Sequence, residues 1–179
     1  MTRRRAWIKS GFWRSRRGAT AVEFALLALP LITLIFASLQ VAIIYFFDQA
    51  LQSGTQKAAR QLLTGSAQIA GLTQQQFITN VVCANLPSQF DCKTNLMVDV
   101  QSSSSFTNSN TASLTYTRPT GTGTPPGNYS PGNPGDIVIM RVLYDWPVLG
   151  GPMAVGLANQ ADGGHLMVAT AVFKNEPYQ

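Results

Sequence analysis

The sequence predicts an α+β chain, with a long N-terminal transmembrane and stalk helix packed on a small antiparallel sheet. Three observations predict it. Phe24–Phe47 is an uncharged, largely apolar run of 24 residues, longer than the eighteen or so that mark a membrane-spanning helix. Beyond it, Leu51, Thr55, Ala58 and Leu62 keep helical spacing. Near the C-terminus, Ile137–Tyr144 and Leu166–Phe173 are rich in β-branched residues, the composition of strands.

The chain of 179 residues has room, after a leader and one span, for one modest extramembrane domain. Its net charge of +5 is unevenly placed. Arg3, Arg4, Arg5, Lys9, Arg14, Arg16 and Arg17 put seven positive charges and no acid in residues 1–18. From Ala19 onward six basic residues face eight acidic ones, a net of −2. A basic tail can bind nucleic acid through phosphate neutralisation. Here it abuts an apolar span, where short Lys/Arg-rich flanks act as a cytoplasmic topology signal. We therefore read residues 1–18 as a cytoplasmic leader, expect no nucleic-acid partner, and place everything after Phe47 outside. Trp7, Phe12 and Trp13 suit a membrane–water interface. A cleaved secretory signal has a shorter apolar core, roughly 7–15 residues, so removal beyond the run is not expected.

Within the run Thr33, Ser38 and Gln40 are the polar interruptions. Few soluble helices stay apolar on every face over this length. Pro30 removes the hydrogen bond to the carbonyl of Leu26 and marks a kink or a weak point. Ala21, Ala25 and Ala28 form one small-residue stripe and Thr33, Ala37 and Gln40 another, both suited to close helix packing. One helix from about Ala21 to Leu63 would be about 65 Å long, half in lipid and half an amphipathic stalk. Gly54 weakens it and Gly65 stops it. The resulting division is leader 1–18, span and stalk 19–64, and an extracytoplasmic α+β domain 65–179.

In that domain Thr73 and Gln76 make a capping-box pattern for a helix from Thr73 to about Leu86, ended by Pro87. Leu96–Val100 and Ala112–Thr117 read as strands, giving a sheet of three or four in total. Residues 118–135 are dense in Pro and Gly and are expected to be a disordered loop without regular structure. A turn-rich stretch with Pro147, Gly150, Gly151, Pro152, Gly163 and Gly164 joins the last two strands. The stalk helix is the natural cover for one sheet face.

Cys83 and Cys92 are the only cysteines, and both lie on the expected outer side. An even pair in an oxidising compartment favours a disulfide; two separate buried thiols or half a metal site are the alternatives. No His or Cys cluster stands nearby to complete a zinc shell, and no metal or cofactor is expected.

Glu23 is the informative residue. A carboxylate at the edge of hydrocarbon is unfavourable and marks a functional site with a partner. No basic residue follows within a turn, and Arg17 lies six residues back. Cleavage between Gly18 and Ala19 would create an α-amino group four residues from Glu23, on the same helix face. That amine could pair with its own Glu23 or with a neighbour's.

Arg16-Arg17-Gly18, then Ala21, Val22, Glu23, Phe24, Ala25 and Pro30, and Ala58-Ala59-Arg60 on the stalk resemble the TadE-like family of tight-adherence (Tad) pilus proteins, with a type IV pilin-like leader and helix. The resemblance covers roughly residues 16–60. Gly135–Pro147 and Asn175–Tyr178 (NEPY) also look like the outer domain of such proteins. The resemblance implies cleavage by a membrane-embedded prepilin peptidase between Gly18 and Ala19, with Arg17, Glu23 and Phe24 serving processing and assembly. It implies a minor pilin (pseudopilin) of a thin adhesive pilus in the inner membrane of a Gram-negative bacterium, N-terminus cytoplasmic and outer domain periplasmic. Implied partners are other Tad pilus subunits, a second minor pilin and the inner-membrane assembly platform. Major Tad pilins are very short after cleavage, whereas this chain keeps a sizeable outer domain, which favours the minor subunit.

Two other classes stay open: an unprocessed, anchored periplasmic binding or sensor module, and an anchored enzyme. Catalysis has thin support. No nucleophile elbow, P-loop or metal-ligand pair occurs. His165 reads as a surface or edge residue, and Asp145 and Asp162 read as solvated turn residues.

Overall fold

The apolar run is helical throughout. In the computed structural model of the chain, which describes residues 16–108, 114–121, 123–148, 156–161 and 163–178, helix α1 spans Arg16–Leu63. It is already helical before Ala21, the expected start, since Arg and Ala are strong helix formers and a lone glycine only weakens the segment. Most of the expected leader, with Trp7, Phe12 and Trp13, lies outside the described residues. The chain divides into two compact units, Met1–Gln40 and Val41–Gln179.

In the first unit α1 runs through Pro30 as an uninterrupted α-helix. The hydroxyls of Thr33 and Ser38 are satisfied internally. Thr33 Oγ1 donates to the carbonyls of Leu29 (2.7 Å) and Pro30 (3.0 Å), and Ser38 Oγ donates to that of Leu34 (2.9 Å). Such back-bonding removes the penalty of carrying a hydroxyl into an apolar medium. Leu26, Leu27, Leu29 and Leu34 are largely exposed, a surface too apolar to rest in water.

In the second unit the rest of α1 covers one face of a three-stranded antiparallel meander. Strands β1 (Leu96–Ser103), β2 (Ile137–Pro147) and β3 (Gly164–Lys174) lie in the order β1-β2-β3. Leu51, Ala58 and Leu62 are fully buried and Thr55 nearly so, the same helix face that the spacing singles out. They join Val98, Val100, Val138, Met140, Val142, Tyr144, Met167 and Ala169 in one core. The alternating inward positions of each strand supply these residues, as a half-covered sheet requires. Gly54 has a packing reason: a Cβ there would come within 2.6 Å of Leu86 Cδ2 and 3.1 Å of the Asn85 carbonyl.

Gly65 ends α1 in the left-handed region (φ 76°), with its N–H donating to the Leu62 carbonyl at 3.1 Å. The C-terminal Asn175–Tyr178 segment closes over this turn. Glu176 N donates to Leu63 O (2.9 Å), Asn175 Nδ2 to Pro131 O (2.9 Å), and the Tyr178 hydroxyl to Gly132 O (3.0 Å). A Cβ at Gly65 would overlap the Tyr178 ring. Gly65→Ala is therefore expected to destabilise the domain by about 1–3 kcal/mol, the usual strain of a non-glycine residue held there. The urea midpoint of the detergent-solubilised chain would report it.

After the short helix α2 (Ser66–Ile69), Thr73 caps α3 (Gln74–Phe77) as the capping box predicts. Thr73 N donates to Gln76 Oε1 at 3.0 Å, and Gln76 N to Thr73 Oγ1 at 3.3 Å. The expected α-helix to Leu86 does not continue as such. It widens into a π turn over Ile78–Val82 and tightens into a 3-10 turn over Cys83–Asn85. Ile78, Thr79, Val81 and Val82 are all β-branched and poor α-formers, and the wider turn buries Ile78, Val81 and Val82 together.

Two further expectations need correction. Among the described residues of the candidate strand 112–117, Leu114–Thr117 is not a strand. Tyr116 donates its hydroxyl to Asn95 O (3.1 Å) and Thr117 its N–H to Met97 Sδ (3.3 Å), so the segment meets the start of β1 without pairing as a strand. The Pro/Gly-rich stretch 118–135 has little regular structure, as expected, but is not free. Val100 N donates to Asn128 O and Ser130 N to Val100 O, both at 2.8 Å, forming a parallel bridge between Val100 and Tyr129. This covers part of the β1 edge, which a bare strand would leave open to pairing.

Candidate processing and assembly site

The residues singled out for processing share one short stretch of α1. Gly18, Ala19, Glu23 and Phe24 are all helical and exposed. Gly18 has an ordinary helical conformation, and a Cβ added to it would meet nothing within 4 Å. Nothing among the described residues therefore asks for glycine here, and alanine would favour the helix by about 1 kcal/mol. Gly54 and Gly65 are explained by packing and conformation, whereas Gly18 is not.

Ala19 and Glu23 are four apart on a continuous helix, so their side chains share a face. The helix dipole makes a free amine at a helix N-terminus unfavourable, and a carboxylate in the first turn favourable. Glu23 is exposed on that face. Phe24, 73% exposed, begins the apolar surface beside it.

In the second unit Cys83 and Cys92 form a disulfide, with Cα atoms 6.2 Å apart. It ties the end of the π/3-10 segment to the turn before β1. Next to it the exposed Asp91 carboxylate is held below the usual range, chiefly by the Thr94 hydroxyl (2.6 Å) and also by Lys93 N–H (3.0 Å).

Buried charges lie where the sequence reading had none. Asp99 in β1 is completely buried and faces Arg141 of β2 in the ladder, with Arg141 Nη2 at 3.0 Å from Asp99 Oδ2. Gln101 Nε2 donates to the same oxygen (2.9 Å), and Asn128 N to Oδ1 (3.0 Å). Asp145, expected to be a solvated turn residue, is instead buried in β2 and ion-paired with Arg118. Asp162 lies outside the described residues. His165, half-buried in β3, has Nδ1 2.6 Å from the Leu157 carbonyl. The available signal was one charge set in each apolar strand, LMVDV and IVIMRVLY, a pattern that calls for a cross-strand partner. Tyr129, against Phe77 at 5.5 Å, has its phenol pushed up to about 12 by burial. Among the described residues, no group of three or more His, Cys, Asp and Glu side chains is placed to hold a metal ion.

No curated protein and no solved structure matches the chain. The family model described as TadE-like protein matches residues 18–60. That match starts at Gly18, includes Glu23 and ends at Arg60. By this segment, a helix long and apolar enough to cross a membrane, the chain is similar to the TadE-like proteins, the family its leader and helix residues resemble.

Proposed function

We propose that the chain is a minor pilin (pseudopilin) of a Tad-type type IV pilus. It is inserted as a single-pass inner-membrane protein with its N-terminus cytoplasmic and is cut between Gly18 and Ala19 by a prepilin peptidase. The observation that carries the reading is the family match over residues 18–60, which begins at the proposed junction. The unexplained Gly18 supports it, since a protease subsite that admits no side chain is a sufficient reason for a residue the fold does not need. Arg17 and the basic leader hold the junction at the cytoplasmic face, where the peptidase would meet it. After cleavage the Ala19 amine pairs with Glu23, and the helix can pack beside other subunits. The outer domain stays periplasmic, meeting a second minor pilin and the assembly platform. The role is structural and needs no cofactor.

The test is a Gly18→Phe variant expressed with the peptidase. A Cβ at Gly18 meets nothing within 4 Å among the described residues, so the helix has room to branch there. Retention of residues 1–18, read by intact mass, is the expected result. Processing at the wild-type rate would remove the peptidase from the account.

A further inference from the structure

We infer that the end of the outer domain formed by Trp146, Leu157 and the groove beside Tyr45 is a second membrane contact, seated in the headgroup region of the bilayer. The inference rests on the reading of α1 as a membrane anchor. The apolar run ends at Phe47, and Asp48 is the first charge after it. The Phe47 ring stacks on Trp146 at 4.0 Å and 26°, and meets Phe90 edge-on at 5.5 Å. The tip of β2 is thereby fixed at the level where α1 leaves its apolar stretch.

Beside this stack lies a groove of about 350 Å³, walled by Val41, Ile44 and Tyr45 on one side and by Leu157, Leu166 and Val168 on the other. Its polar groups are Asp48 and His165. Val41, Ile44 and Tyr45 belong both to the run that lipid would surround and to the groove wall. Lipid around the last turns of the run therefore reaches the groove mouth. Tyr45 and Phe46 are 67% and 64% exposed, and aromatic side chains of this kind favour the membrane–water interface. The sequence adds an independent argument. From Pro147 to Ala158 the chain has no charged, hydroxyl or amide side chain, an unusual composition for a water-facing connection. The described ends of that stretch, Pro147–Val148 and Gly156–Leu157, adjoin Trp146 and the groove. The occupant these features fit is bilayer lipid: acyl carbons against the apolar walls, headgroups toward Asp48 and His165.

The experiment uses the full chain in vesicles of phosphatidylethanolamine and phosphatidylglycerol. Cys83 and Cys92 are paired, so an added cysteine can be spin-labelled selectively. Labels at Leu157→Cys, at Ile35→Cys in the run and at Lys174→Cys at the far end of β3 are compared for collision with oxygen and with a water-soluble nickel chelate. The expected result is loss of nickel access with retained oxygen access at Ile35 and Leu157, and free nickel access at Lys174. Nickel access at Leu157 with Ile35 shielded would overturn this inference and leave the anchor standing. Nickel access at Ile35 would overturn both. A Leu157 label shielded from both reagents and broadened by a second label would overturn it in favour of a contact between copies. If Leu157→Cys fails to fold, Trp146 fluorescence in a Trp7→Phe/Trp13→Phe chain gives the same reading. Lipids brominated near the glycerol should quench it, and absence of quenching would contradict the contact.

Discussion

Glu23→Ala is expected to be processed normally and yet to fall out of the assembled appendage, by roughly tenfold or more, since each 1.4 kcal/mol is a factor of ten. The expectation follows from what the carboxylate is asked to neutralise. On the proposed reading, cleavage would leave an ammonium group on Ala19 at the edge of hydrocarbon, next to the positive end of the helix dipole. With Glu23 present the two charges can pair within the helix face or across subunits. Without it, an uncompensated charge must enter a low-dielectric contact, where removing one partner of a buried pair costs about 3–5 kcal/mol. Processing is spared because the peptidase would act at the Gly18–Ala19 bond, and Glu23 is a full helical turn away. Two readouts check the prediction together: the N-terminus of the membrane-resident variant, and its amount in sheared appendages relative to wild type. Wild-type incorporation would remove the pairing argument, and failed cleavage would move Glu23 into substrate recognition.

Asp99→Ala is expected to be the most damaging single change in the outer domain, at about 3–5 kcal/mol. Asp99 is fully buried, accepts hydrogen bonds from Arg141, Gln101 and Asn128, and so ties β1 to β2 and to the loop that covers the β1 edge. Its loss leaves the Arg141 guanidinium, 11% exposed, short of its counter-charge. It also leaves the Asn128 N–H without its acceptor, a further desolvation penalty. The Asp99→Ala/Arg141→Met double variant should recover much of the loss, because apolar replacement of a whole buried pair is often close to neutral. Urea unfolding of the detergent-solubilised chain measures both. A single variant within about 0.5 kcal/mol of wild type, the range of ordinary surface changes, would show that the pair is not the clamp described here.

The parts of the fold that were legible in the sequence are those fixed by near neighbours. An apolar run of this length admits few conformations other than a helix. Leu51, Thr55, Ala58 and Leu62 gave away the stalk's buried face because helical periodicity is local. Thr73 and Gln76 announced their cap for the same reason. What was not legible depends on residues that arrive from far along the chain. Asp145 sits before Pro147 and looked like a turn residue; Arg118, 27 residues earlier, makes it a buried strand residue. Leu114–Thr117 alternates like a strand, but the Tyr116 hydroxyl goes to the Asn95 carbonyl and the Thr117 N–H to the Met97 sulfur, and the segment does not extend the sheet. Residues 126–130 carry loop composition, and the open edge at Val100, the buried Asp99 carboxylate and the Gln74 amide give them a course. The candidate site is proposed from a linear stretch, Arg17 to Phe24, which needs no long-range contact to be picked out. The structure adds that no contact among the described residues explains Gly18.

The most direct test of the account is the N-terminal residue of the protein recovered from its native envelope, read by sequencing or by intact mass. The account predicts a chain that begins Ala19-Thr20-Ala21. A chain that still begins at Met1 would contradict it, and would return the protein to the class of unprocessed membrane-anchored modules.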